Sequence, residues 1–186
     1  MRTLDRLVLA RQTLVIFTND NGGEWLSPNT PLFHRKDTLW KGGIRVPAIF
    51  RWPGRLPAGR TSKQPGITMD LSASILGATN TAVPSGNSLD GIDLLPTLAG
   101  KARPKERTFF WRINGEGRVQ KAVRRGEWKL LIDGDDLLLF NLRTDIGERH
   151  DLAMVRPDIV RVFLPLIRAW EFDVDTDARF ERNGRK

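Results

Sequence analysis

Cysteine is absent from the 186 residues, so this chain can form no disulfide, no thiolate-ligated zinc site and no cysteine nucleophile. That absence does not fix a compartment, because a chain without thiols is tolerated in any redox environment. Histidine occurs only at 34 and 150, without the HxxxH or HExxH spacing that sets two imidazoles on one metal. No apolar run approaches the roughly 20 residues of a membrane span, so no transmembrane segment is expected. The opening Met1-Arg2-Thr3-Leu4-Asp5 carries no long apolar stretch of the kind a secretion signal needs. Neither GxSxG nor a glycine loop ending in Lys-Ser/Thr occurs, which leaves no nucleophile elbow and no nucleotide-cradling loop.

What is present has globular proportions: 40% apolar and 28% charged residues. The net charge is +8, which favours anionic partners. The excess is shared evenly between residues 1–100 and 101–186, with no basic tail and no basic run of five. A nucleic-acid partner is therefore not expected.

Two textures follow one another along the chain. Leu4, Leu7 and Val8 share a helical face that ends near Arg11-Gln12. Thr13 to Thr18 is short, β-branched and apolar on both faces, the pattern of a strand buried inside a parallel sheet. Residues 24–43 form a long loop, and such loops are functional or disordered. Val46 to Trp52 reads as a second strand, with Pro47 at its start or on an edge. Asp70 to Ala78 reads as a helix with Asp70 capping its first turn, and Asp93 to Gly100 as a helical turn closed by glycine. After Lys101 to Lys105, four short strands (108–112, 119–124, 128–133 and 137–142) are punctuated by Gly126 and Asp133-Gly134-Asp135. That is an antiparallel meander. An amphipathic helix follows over 158–172, with Ile159, Phe163, Leu166, Ile167 and Trp170 on one face and a kink expected at Pro165. Residues 174–186 read as frayed. Trp111, Trp128 and Trp170 are expected in the core of this second part.

Chemistry is sparse. Asp20 and Asn21 directly follow the first strand, where open α/β sheets bind ligands. A carboxylate beside an amide carbonyl suits a hard divalent cation, yet two donors fill only part of its six to eight positions. The same residues before Gly22-Gly23 are also ordinary turn formers. Lys36 can act as a point charge on an anionic oxygen or stand solvated in its loop. Arg45 can touch substrate, although its place just ahead of a strand favours one half of a structural salt bridge.

The runs TLVIFTNDNGG, NTPLFHRKDTLWKGGIRVPAIFRWPGRLPAGR, LDGIDLLPTLAG and AVRRGEWKLLIDGDDLLLFNLRTDIGERHDLA, in that order, resemble the C-terminal portion of a type I, arylsulfatase-like sulfatase of the alkaline phosphatase superfamily. The resemblance implies an α/β fold: a partial alkaline-phosphatase-like sandwich, then a small C-terminal antiparallel sheet with a terminal helix. It sets residues 1–100 in the catalytic domain and 101–186 in the small one. It implies a sulfuric ester hydrolase acting on a sulfate ester, with Asp20 and Asn21 as ligands of Ca²⁺ (Mg²⁺ being the alternative) and Lys36 on the sulfate group. Glu148-Arg149-His150-Asp151 resembles the family turn that orders a hairpin exit.

Two departures stand out. Lys41 occupies a position where the family has Glu. The Cys/Ser-x-Pro/Ala-x-Arg motif that yields the family's formylglycine is absent, as none of Ser27, Ser62, Ser72, Ser74, Ser85 and Ser88 lies in it. In the family that motif, the other metal-binding aspartates and the catalytic histidine lie in the N-terminal half, which becomes a required partner. The chain alone is expected to be inactive. Two other readings stand beside this one: a non-catalytic basic interaction module, and part of a related phosphate or phosphonate ester hydrolase.

Overall fold

The computed structural model describes residues 1–115 and 117–183. The chain folds as two compact units, Met1–Asn19 with Pro47–Glu106, and Asp20–Val46 with Arg107–Lys186. The content is mixed α and β, as expected, with two antiparallel sheets and a long C-terminal helix.

In the first unit, α1 (Arg2–Arg6) and a 3₁₀ turn (Ala10–Gln12) lead into β1 (Val15–Thr18). β1 is not a buried parallel strand. It pairs antiparallel with β2 (Ala48–Arg51), Phe17 opposite Ile49 and Thr18 opposite Ala48. A run of β-branched residues signals extension but carries no information about the direction of its partner. Here the chain leaves after Thr18 and returns to the same point, where Thr18 Oγ1 donates to the carbonyl of Pro47 at 2.9 Å, so the next strand must run back. Trp52 follows β2, and its indole donates to the carbonyl of Arg11 at 3.0 Å. Then come α3 (Met69–Thr79) and α4 (Leu95–Leu98). Asp70 is fully buried at the start of α3. Its carboxylate accepts the amides of Ile67 and Ile92, both at 2.9 Å, which ties the loop before α4 to the helix start.

The second unit is built on the expected meander, β3 (Thr108–Gly115), β4 (Arg118–Arg125), β5 (Trp128–Asp133) and β6 (Asp136–Asn141), paired in chain order. Gly126 and Gly134 adopt positive φ of 57° and 62° in the tight turns, a region glycine enters without strain. Side chains alternate between the two faces. Val123, Leu130 and Leu139 point to one face, where Val160, Phe163 and Ile167 of α5 (Pro157–Asn183) cover them. Ala122, Leu131 and Phe140 point to the other, where Leu39 and Trp40 lie. Trp111 and Trp128 pack against these two clusters, and Trp170 stacks on Phe110 with ring centroids 5.3 Å apart.

α5 continues past the expected end at 172, through Pro165, to Asn183. No glycine or proline interrupts residues 166–183. Its C-terminal half is also held on both sides of residue 172: Arg112 pairs with Asp175 at 2.7 Å and Lys121 with Glu171 at 2.9 Å. Arg112 and Lys121 are cross-strand partners, so two acids one helical turn apart meet two neighbouring bases. The expected fraying at 184–186 lies outside the described residues.

Candidate functional site

Residues 20–46 lack long regular elements, yet their backbone is held at several points. The amide of Gly22 donates to the carbonyl of Gly43 at 2.8 Å, and that of Lys36 to the carbonyl of Gly23 at 2.9 Å. The Asp20–Gly23 turn is thereby stapled to the stretch that bears Lys36. Three glycines make this approach possible. A Cβ on Gly22 would overlap the carbonyl of Gly42, one on Gly42 those of Phe33 and His34, and one on Gly43 that of Thr38. The nearest obstacle at each is backbone, which cannot swing aside.

The stretch Thr38–Gly43 is buried, and its short helix α2 (Lys41–Ile44) sits on the C-terminal sheet. Leu39 and Trp40 supply the apolar contact; polar groups set its register. Gln120 Oε1 accepts the amide of Leu39 at 2.7 Å, and Lys129 Nζ donates to the carbonyl of Leu39 at 2.5 Å. The indole of Trp40 donates to Asp133 at 2.8 Å. Glu148 Oε2 accepts the amide of Lys41 at 2.6 Å, while Glu148 Oε1 pairs with Lys129 at 2.5 Å, both side chains fully buried. Burial pulls the Lys129 ammonium below its ordinary pKa, with Glu148 opposing. Gln120, Lys129 and Asp133 come from β4 and β5, and Glu148 from the turn beyond β6. The long loop is therefore a packed layer of the second unit, not a disordered connection.

At the loop's outer end, Lys36 and Arg35 converge on one carboxylate, Glu24, at 3.0 and 2.9 Å. The hydrogen bond from Lys36 holds the Glu24 carboxyl below its usual range, and the same bond raises the Lys36 ammonium. Asp37 and Asp20 add to that rise through their charge, so the Asp20 carboxylate lies within electrostatic reach of Lys36. Arg35 also lies over the ring of Trp25, 3.8 Å from its centroid. A cleft of about 440 Å³ opens beside them, lined in part by Glu24, Trp25, Ser27, Asn29, His34 and Arg35. The cleft thus sets the Glu24–Arg35 pair beside an aromatic face.

The fit of a cation can be judged from the donors. One oxygen of Asp20 accepts the amide of Asn21 at 2.9 Å, and the Asn21 amide nitrogen donates to the carbonyl of Gly22 at 2.9 Å. The Asn21 carbonyl oxygen and the second Asp20 oxygen have no described hydrogen bond. The donors are of the right chemistry for Ca²⁺ or Mg²⁺ but too few to enclose one. Among the described residues no group of three or more His, Asp or Glu side chains gathers for a metal ion.

The three residues read from the sequence thus lie on segments of the second unit that backbone hydrogen bonds join. Arg45 differs from expectation: no described ion pair holds it, and it lies among other cations. The sequence reading passed over Glu24, Arg35 and Trp25, although an aromatic inside a polar loop was a usable signal. It also passed over Lys129, a charge in register with core residues of its strand.

The family model described as Sulfatase matches residues 1–81. The N-acetylgalactosamine-6-sulfatase of Canis lupus familiaris is 39% identical over 132 residues, which is 68% of this chain and 24% of that protein. The steryl-sulfatase of Rattus norvegicus is 36% identical over 194 residues, 82% of this chain and 34% of that protein. Among solved structures, Ps i-CgsB superposes with a TM-score of 0.85 at 27% identity, over 92% of this chain and 39% of that one. The chain spans about a quarter to a third of the length of these curated relatives. By sequence, by fold and by these likenesses, the chain belongs to the sulfatase family and corresponds to its C-terminal portion.

Proposed function

We propose that the chain supplies the anion-gripping and part of the cation-holding wall of a sulfuric ester hydrolase site. One observation carries the reading: the paired backbone bonds that staple Asp20–Gly23 to the Lys36 stretch, so that two cation-type donors and an ammonium are borne on bonded neighbouring segments. Lys36 and Arg35 donate to a sulfate oxygen as they now donate to Glu24, and an incoming sulfate displaces that exposed carboxylate. A fixed ammonium there offsets charge that builds on the transferring group and on the leaving oxygen. Asp20 and Asn21 contribute two oxygens toward Ca²⁺, whose remaining ligands come from elsewhere in a complete site. Such an ion, when held, polarises the sulfate oxygens.

The attacking group is not among this chain's residues, since it has no cysteine and no serine in the motif that yields formylglycine. The purified chain should therefore leave 4-nitrocatechol sulfate intact. Its Ca²⁺-dependent binding of sulfate, followed by calorimetry, should weaken at least about tenfold in Lys36→Ala and in Asp20→Ala. Turnover by the chain alone that disappears in Asp20→Ala would overturn the assignment of the nucleophile to another segment. Sulfate binding indifferent to both substitutions would overturn the site itself.

A further inference from the structure

The turn at residues 24–27 exposes a tryptophan and holds it in place. Trp25 is 70% exposed, and Arg35 lies over its ring, 3.8 Å from the centroid. The same guanidinium donates to Glu24 Oε1 at 2.9 Å, and that oxygen also accepts the amide of Trp25 at 3.0 Å. The amide of Ser27 closes the turn on the carbonyl of Glu24 at 3.0 Å. The Asn29 carboxamide ties the loop together, accepting the amide of Gly23 at 3.2 Å and donating to the carbonyl of His34 at 3.0 Å. An indole held this way gives up little freedom when a ligand lies on its open face.

Trp25 lines the cleft of about 440 Å³, a volume within the ~300–1,000 Å³ of small-molecule pockets. The cleft has two kinds of wall. Trp25 supplies a flat π-face, while Glu24, Ser27 and Thr30 supply side-chain oxygens. Glu24 also joins the cleft to the ammonium, because its Oε2 pairs with Lys36 at 3.0 Å. A pyranose ring fits both walls. Its polarised C–H bonds are drawn to the negative face of an indole, and its hydroxyls reach the oxygens at the rim. An apolar alcohol would match the indole alone, and would strip water from Glu24 and Arg35 without replacing its bonds.

We propose that Trp25 and Glu24 determine specificity at this site, and that the alcohol part of its sulfate ester is a pyranose sugar. The inference rests on the sulfate-ester reading above. Sulfate takes Lys36 from Glu24, the released carboxylate accepts a sugar hydroxyl, and the C–H face of the sugar lies on Trp25.

The test uses the full chain with Ca²⁺, titrated by calorimetry with inorganic sulfate, phenyl sulfate, and glucose and galactose monosulfates esterified at O2, O3, O4 or O6. At least one sugar sulfate should bind about tenfold or more tighter than inorganic sulfate and tighter than phenyl sulfate. Trp25→Ala should reduce that advantage over inorganic sulfate at least about fivefold. Glu24→Gln should split the two ligands, tightening inorganic sulfate, which no longer competes with a carboxylate, and weakening the sugar sulfate. A merely structural role would weaken both. Should a variant fail to fold, saturation-transfer NMR on the unsubstituted chain decides: the C–H protons of the bound sugar must receive saturation from the aromatic protons, and none received overturns the stacking. Inorganic sulfate that binds while no sugar sulfate exceeds it, or phenyl sulfate that equals the best sugar sulfate, overturns this inference alone. No binding of inorganic sulfate or of any ester overturns the sulfate-ester reading, and this inference with it.

Discussion

Lys41 keeps its proton in an unfolded chain up to about its ordinary 10.5, and in the folded unit only up to about 6. Between those values the unfolded state binds the extra proton, so the free energy of unfolding rises with pH across that window. The slope is at most about 1.4 kcal/mol per pH unit for one proton. Lys129, also lowered by burial, acts in the same direction. In buffer free of oxyanions, thermal unfolding should therefore move upward between about pH 6.5 and pH 9, and Lys41→Met should flatten the trend. A midpoint that falls across that range contradicts the assignment. Gly22 tests a different residue-scale constraint, the room left for one missing Cβ. Gly22→Ala should cost about 1–3 kcal/mol or more in urea unfolding, because the obstacle is the Gly42 carbonyl. Gly115→Ala, with nothing within 4 Å of the added carbon, serves as the silent control.

At the scale of elements, the informative contact lies between the loop 38–44 and the face of the four-stranded sheet. Leu39 and Trp40 would pack in several registers; Gln120, Asp133 and the Lys129–Glu148 pair select one. Glu148→Gln leaves the Lys129 ammonium buried without its counter-charge, and should cost about 3–5 kcal/mol. Hydrogen exchange at the amides of Leu39 and Lys41 should accelerate with it. Adding Lys129→Met to Glu148→Gln should recover part of the loss, since a neutral pair of similar volume needs no counter-charge. A double variant less stable than the single one would show that the pair contributes beyond its charge balance.

At the scale of the whole chain, the two units differ in how completely they cover their apolar residues. The second has its sheet covered on both faces. In the first, Phe17 and Ile49 stand opposite one another across β1 and β2, 55% and 59% exposed. Adjacent exposed apolar side chains on a short sheet bind other apolar surface. The purified chain should bind a dye for exposed apolar surface, and Phe17→Ser with Ile49→Thr should lower that signal while the circular dichroism of the helices persists. Undiminished dye binding would place the responsible surface elsewhere. Among the described residues no helix is long and apolar enough to cross a membrane.

Much of this protein was legible in one dimension. Period-two alternation broken by Gly126 and Asp133-Gly134 determines the meander, because those turn residues and that alternation admit one register. The i, i+3, i+4 pattern of Phe163, Leu166 and Ile167 determines which face of α5 is buried. Asp20-Asn21-Gly22-Gly23 and Lys36 were recognisable as candidate donors from residue type and order. Tertiary structure alone decided the rest. The direction of β1 depended on where a 29-residue excursion returns, which no local pattern encodes. The burial of Lys41 and Lys129 depended on a loop and a strand some 90 residues apart. A charged side chain looks solvated in sequence, and becomes a buried charge in need of a partner only when another segment shuts out the water.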